Sequence, residues 1–178
     1  MKNFSIMVSW NREEGAKMKY ITFTVPCYNS EAYMERCINS LLAGGRDVEI
    51  LVIDDGSTDR TGEIADRYEE AYPGIVKAVH KENGGHGSGV NRGLELASGL
   101  YFKVVDSDDW LDQEAYGKLL AKIKEFFGGG RDQFEPVPDL FVCNYVYDHL
   151  DEGRSRVMDY RNIFPDGEMC TWNAIGHF

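Results

Sequence analysis

An α/β fold built on a mostly parallel sheet is predicted for this 178-residue chain by three features of its sequence. Short β-rich apolar runs alternate with segments of helical periodicity, the pattern that yields parallel strands joined by right-handed crossovers. Polar clusters at 26–31, 54–57 and 106–109 each follow such a run, and sheets of this class bind ligands beyond the carboxyl ends of their strands. A content of 43% hydrophobic and 12% aromatic residues suits one sizeable core.

Tyr20–Val25 (YITFTV) is the first expected strand, stopped by Pro26, which cannot donate to a central ladder. Asn29 or Ser30 can cap a helix carrying Met34, Cys37, Ile38, Leu41 and Leu42 at helical spacing, ended by Gly44-Gly45. Val48–Ile53 is a second buried strand, and Asp54-Asp55-Gly56-Ser57 turns the chain. Thr58 or Asp59 caps the next helix, which runs to about Ala71 before Pro73-Gly74; Ile75–Val79 is the third strand.

After the glycine-rich stretch Gly84–Gly89, the residues Val90, Leu94 and Ala97 predict a helix closed by Gly99. Leu100–Val105 is the fourth strand. Asp112 caps a helix with Tyr116, Leu119, Leu120, Ile123 and Phe127 on its buried side, and Gly128-Gly129-Gly130 begins a surface connection. Leu140–Tyr147 reads as a fifth strand, and 150–178 as a hairpin or irregular segment. Residues 1–17 match no later element and read as a peripheral extension, with 18–149 as the domain proper.

Composition narrows the function classes. The net charge is -11, and the chain has no dense Lys/Arg stripe of the kind a nucleic-acid binder needs. Cys27, Cys37, Cys143 and Cys170 are scattered without a C-x-x-C pair, so they read as free thiols of a reducing compartment. There is no apolar run of about 18 residues, which would mark a spanning helix, and no apolar signal segment at the N-terminus.

The sharpest local feature is FKVVDSDDWLD (102–112), where Asp106, Asp108, Asp109 and Asp112 crowd the end of an apolar strand. In extended backbone, residues i and i+2 point the same way, so Asp106 and Asp108 can face one hard cation that also binds phosphate. Helix capping is the alternative use of such aspartates. An EF-hand would need glycine at position 111 and glutamate at 117, where Leu111 and Gly117 stand. The glycines at 84–89 fail the dinucleotide register and carry no Walker lysine, although amides at a helix start can face an anion. His86 reads as the one histidine of the crevice.

In order, VPCYNSEAYMERCINSLL (25–42), VIDDGSTDRT (52–61), ENGGHGSGVNRGLELASG (82–99) and FKVVDSDDWLD (102–112) resemble the bacterial family 2 glycosyltransferases. The resemblance spans roughly 20–115. It implies a GT-A fold, a nucleotide-sugar donor (most often UDP-linked), Mn²⁺ or Mg²⁺, and inversion at the anomeric carbon. By that likeness Pro26, Tyr28, Asn29 and Glu31 lie near the nucleotide, and Asp54 or Asp55 holds the uracil or ribose. Asp106 faces the ribose and the metal, Asp108 binds the metal, and Asn91 and Arg92 flank the nucleotide.

Family members carry the general base on a downstream segment that also shapes the acceptor site. This chain is expected to end before it, with 150–178 as the start of an acceptor-side region. Asp148, Asp151 and Glu152 are available carboxylates that nothing places opposite the donor. The implied partners are a UDP-sugar and a carbohydrate or lipid-linked acceptor, in the cytoplasm or peripherally at the inner membrane face. A non-catalytic nucleotide-sugar-binding module is the alternative. A nucleotidyltransferase would carry a Gly-rich basic signature where Pro26-Cys27-Tyr28-Asn29 stands.

Overall fold

The computed structural model describes residues 18–127, 136–149, 154–160 and 167–171; the expected extension at 1–17 lies outside them. The described residues divide into two compact units, one running to Phe127 and the other from Pro136 onward.

The first unit runs β1 (Ile21–Cys27), α1 (Met34–Leu41), a 3-10 segment (Leu42–Asp47), β2 (Val48–Asp54), α2 (Thr61–Ala71), β3 (Val76–His80), α3 (His86–Leu96), β4 (Tyr101–Val104) and α4 (Gln113–Phe127). Its four strands are all parallel, in the order β3-β2-β1-β4. Helices cover both faces: Phe23 of β1 meets Tyr116 of α4 edge-on at 5.5 Å, while its neighbour Thr24 lies under Gly93 of α3. Successive strand residues point to opposite faces, so α3 and α4 lie on opposite sides of the sheet. The expected α/β class with a mostly parallel, helix-flanked sheet is therefore what the chain adopts.

The core is the buried set Phe23, Val25, Met34, Ile38, Leu41, Ile50, Leu51, Val52 and Ile53 together with Ile123. In α1 the buried positions Met34, Cys37, Ile38 and Leu41 repeat at i, i+3, i+4 and i+7, one stripe of a helix.

Four local expectations change. Pro26 does not stop β1: it pairs with Ile53 inside the strand. Thr24 accepts from Val105 on the β4 side and Cys27 accepts from Asp55 on the β2 side. By alternation Pro26 faces β4, beyond that strand's end, where its missing N–H breaks no ladder bond. Neither Asn29 nor Ser30 caps α1 through its side chain; the Ser30 carbonyl accepts from Met34 instead.

The glycine-rich stretch is not a loop preceding α3, because α3 begins at His86 and contains Gly87, Gly89 and Gly93. A Cβ on Gly93 would lie 2.2 Å from the Thr24 side chain, and one on Gly89 3.2 Å from Pro26 Cβ. These glycines let the helix lie directly on the sheet.

The fourth change is in the second unit. The expected fifth strand does not join the parallel sheet: β5 (Tyr145–His149) pairs antiparallel with β6 (Arg154–Met158). So short a connection allows an antiparallel hairpin, whereas a parallel pair needs a crossover of a dozen residues. The apolar run at 140–147 could not reveal this, since burial and hairpin pairing both suit such a sequence.

Candidate functional site

Strand register brings three of the polar clusters to one edge. Cys27 stands beside Asp54, and Asp54 beside His80. β4 ends at Val104 opposite Thr24, so Asp106 lies just past it. The sheet order reverses direction between β1 and β4, the crevice where ligands of open α/β sheets bind. The amino end of α3 reaches the same place, because His86 Nε2 is 2.8 Å from Asp106 Oδ1.

On the β2–β3 side the carboxylates are engaged. Asp54 is 7% exposed and accepts the Ser57 amide at 3.0 Å on Oδ1, while its Oδ2 lies 3.0 Å from His80 Nδ1. Burial alone would raise its pKa, but the Ser57 and His80 hydrogen bonds outweigh burial and hold it below the usual range. Asp55 is 3% exposed; its Oδ1 receives the Lys81 ammonium and, at 3.0 Å, the Gly84 amide. Those donors likewise overcome burial and lower its pKa. Gly56 makes the intervening turn at φ 71, a left-handed conformation that favours glycine.

The end of β1 supports that turn. Asn29 adopts φ 50, and its Oδ1 accepts the Thr58 amide at 2.8 Å while its own amide donates to Ser57 Oγ at 3.0 Å. Glu31 pairs with Arg60, whose Nε is 3.0 Å from Oε2. Tyr28 is 52% exposed at the crevice mouth, a ring able to stack on a base. Ser30 and Ser107 share a buried 2.9 Å hydrogen bond that joins the β1 and β4 loops.

On the β4 side the carboxylates are open. Asp106 and Asp108 are exposed, and among the described residues Asp108 has no hydrogen-bond or ion-pair partner. Asp109 has its carboxyl pushed up by burial and then by Asp108 and Asp106. The Cys37 thiol, behind the loop, is pushed up to about 12 by burial and then by the same acids. α1 holds the loop from behind: Leu111 donates to Ser40 Oγ at 3.1 Å, Gln113 Nε2 to the Ser40 carbonyl at 3.0 Å, and Arg36 stacks on Trp110 at 3.2 Å. Asp112 caps α4, its Oδ1 accepting the Ala115 amide at 2.8 Å.

Asn91 and Arg92 line an open cleft of ≈ 470 Å³ with Lys81, Ser88 and Glu95, and Arg92 pairs with Glu95 at 3.0 Å. The edge thus gathers Pro26, Tyr28, Asn29, Asp54, Asp55 and Asp106 with Asp108, places Asn91 and Arg92 beside Lys81, and pairs Glu31 with Arg60. His86 is not the one histidine here, since His80 and its neighbour Lys81 hold Asp54 and Asp55. The signal for both was available: they stand at the end of the third strand, as the other clusters do at theirs.

No group of three or more metal-ligating side chains occurs among the described residues. Two exposed carboxylates beside Asp109, whose carboxyl is raised by burial first and by their charge second, fit a different kind of site. A hard cation there would be held by Asp106 and Asp108 and completed by water and phosphate oxygens, the usual arrangement for Mg²⁺. Beside it stand donors, acceptors and an exposed tyrosine, groups that can contact a nucleoside.

Comparison with known proteins agrees with this geometry. Residues 22–163 match the family model described as glycosyl transferase family 2. The chain is 40% identical over 161 residues to the glycosyltransferase GlyA of Streptococcus pneumoniae, covering 87% of this chain and 23% of that protein. It is 36% identical over 99 residues to a poly(ribitol-phosphate) β-glucosyltransferase of Bacillus spizizenii, covering 53% of this chain and 16% of that one. Among solved structures, Staphylococcus aureus TarS 1-349 in complex with UDP-GlcNAc superposes with a TM-score of 0.54 at 32% identity, covering 68% of this chain and 37% of TarS. The chain spans well under half the length of each of these relatives.

Proposed function

The chain belongs to glycosyl transferase family 2, and from that premise we propose that its sheet edge binds a nucleotide-sugar, a UDP-sugar first, for metal-assisted transfer to an acceptor hydroxyl with inversion. One observation carries this reading: on a single edge, buried and paired Asp54 and Asp55 adjoin exposed Asp106 and Asp108. The first pair belongs to a pocket for a neutral base and ribose. The second pair, which would repel a bare diphosphate, suits a cation that bridges to it. The likeness to UDP-GlcNAc-bound TarS supports UDP as the base carrier.

In the proposed reaction the acceptor oxygen attacks the anomeric carbon from the face opposite the diphosphate. The bond from that carbon to the phosphate oxygen breaks, UDP leaves with the electron pair, and a base takes the acceptor proton. Mg²⁺ or Mn²⁺ held by Asp108 and Asp106 would supply Lewis-acid stabilisation of the leaving diphosphate. Tyr28, Asp55 and the amides near Gly84 would orient the nucleoside. The general base is proposed to lie outside the residues named here. The acceptor is proposed to be a carbohydrate or lipid-linked hydroxyl of a cell-surface polymer, reached in the cytoplasm or at the inner membrane face. No helix among the described residues is long and apolar enough to cross a membrane.

Thermal-shift and calorimetric titration of the chain with UDP, GDP and dTDP, with Mn²⁺ or with EDTA, test the reading, because a ligand of the native state raises its stability. UDP is expected to bind only with metal. Asp108→Ala is expected to weaken metal-supported binding about 100-fold, or ~2.7 kcal/mol. Equal binding in EDTA would remove the metal role, and binding of none of the nucleotides would remove the nucleotide reading.

A further inference from the structure

His80 lies between two carboxylates that come from different elements. Its Nδ1 is 3.0 Å from Asp54 Oδ2 on β2, and its Nε2 is 2.9 Å from Asp66 Oδ1 on α2. A neutral imidazole has a single N–H, and an ionised carboxylate only accepts. Both contacts are satisfied together when the ring is an imidazolium. The two partners differ in how much they need it: the Asp66 side chain is 65% exposed and water can solvate it, whereas that of Asp54 is 10% exposed.

The groups around the ring reinforce its charge. Asp54 faces it from β2 and Asp66 from α2, with Gly62 of α2 packed close to the ring. Glu69 of α2 bonds the Ala78 amide two residues before it, and the next residue, Lys81, turns to Asp55. Hydrogen bonds to Asp54 first and Asp66 second raise the His80 pKa above 6.5. From Asp54 the connection continues to the Ser57 amide, and the Ser57 hydroxyl meets the Asn29 amide. The His80 ring is thus connected through Asp54 to the 54–57 turn and on to Asn29.

We propose that the His80 imidazolium is a positioning residue of the donor pocket, the countercharge that lets Asp54 stay buried and ionised beside Asp55 and so sets the affinity for an anionic nucleotide. It rests on the reading of this edge as the nucleotide pocket. When the ring loses its proton, the Nδ1–H stays with buried Asp54 and the contact to exposed Asp66 is given up. The hydrogen bond to Asp54 survives, but the positive charge beside two adjacent aspartates is gone. The phosphates of the ligand then meet a more negative edge.

The experiment follows His80 imidazole ¹⁵N shifts in the ligand-free chain from about pH 6 to about pH 9, alongside UDP affinity with Mg²⁺ over the same range. An imidazolium persisting above 6.5, and a UDP affinity falling about five-fold through the same midpoint, are expected. Asp66→Asn should move both midpoints down while leaving affinity at the acid end intact. His80→Asn, which keeps a donor for Asp54 but carries no charge, should bind weakly and without this pH dependence. A ring that titrates at or below its ordinary value, or a UDP affinity flat across its titration, overturns the proposal while the nucleotide reading stands. Failure to bind UDP at any pH overturns both.

Discussion

Asp54 and Asp55 at the end of β2 are buried and paired with His80, Lys81 and backbone amides, whereas Asp106 and Asp108 past β4 are exposed, with the His86 imidazole on Asp106. The same residue type stands in opposite circumstances within one crevice. The first pair has its countercharges in the protein and is shaped before any ligand arrives. The second pair is held in place from behind, by Ser30, Ser40 and Arg36, while Asp108 has no partner among the described residues. An edge divided in this way suits the proposed separation of nucleoside recognition from capture of a charged diphosphate.

Lys81→Met should break the contrast most strongly. It leaves Asp55 buried without its cation, and stability in urea should fall by about 3 kcal/mol at neutral pH. Asp55 has a folded pKa below its unfolded value, so its pairing stabilises the fold above the unfolded value and is lost as pH falls through the folded one. The gap between variant and parent should therefore close in acid. A loss under about 1 kcal/mol would show a solvated, surface-like pair instead.

Ser107→Ala acts on the other half, removing the buried bond to Ser30. About 1 kcal/mol of stability should go with it, read from the urea midpoint, and metal-supported UDP binding should weaken. Arg36→Gln should cost least, about 0.5 kcal/mol for an exposed stacking contact. Its larger signature should be a change in Trp110 fluorescence, since the guanidinium stands 3.2 Å from that ring. If either substitution disturbed the β2 side instead, the two halves would not be separately supported.

The strands and helices of the first unit were legible because their apolar periodicity is strong and their punctuation by Pro, Gly and Asp is dense. The clusters at three strand ends were legible for the same reason, and a resemblance supplied their roles. Partner choice was not. Nothing in DDGS distinguishes an aspartate taken by a neighbouring histidine from one that faces the crevice, because His80 reaches Asp54 only through the β2–β3 register. The pairing of Glu31 was hidden for a related reason: Arg60 follows it by 29 positions and meets it only once the ends of β1 and β2 lie side by side. The start of α3 inside the glycine-rich stretch was hidden because the use of Gly89, close contact with Pro26, belongs to packing that no local pattern displays.

Thr22 on β1 ties into both sides of the sheet, and its two bonds differ in reach. Its hydroxyl donates to Glu49, 27 residues on, and accepts from the Gly99 amide, 77 residues on. Closing the longer loop costs roughly 1 kcal/mol more chain entropy than closing the shorter one. During synthesis from the ribosome, β2 also becomes available to β1 long before β4 does. The β2 side of the edge can therefore assemble on the nascent chain while the acidic loop has yet to be made, which delays the exposure of its charge until the scaffold that restrains it is already in place.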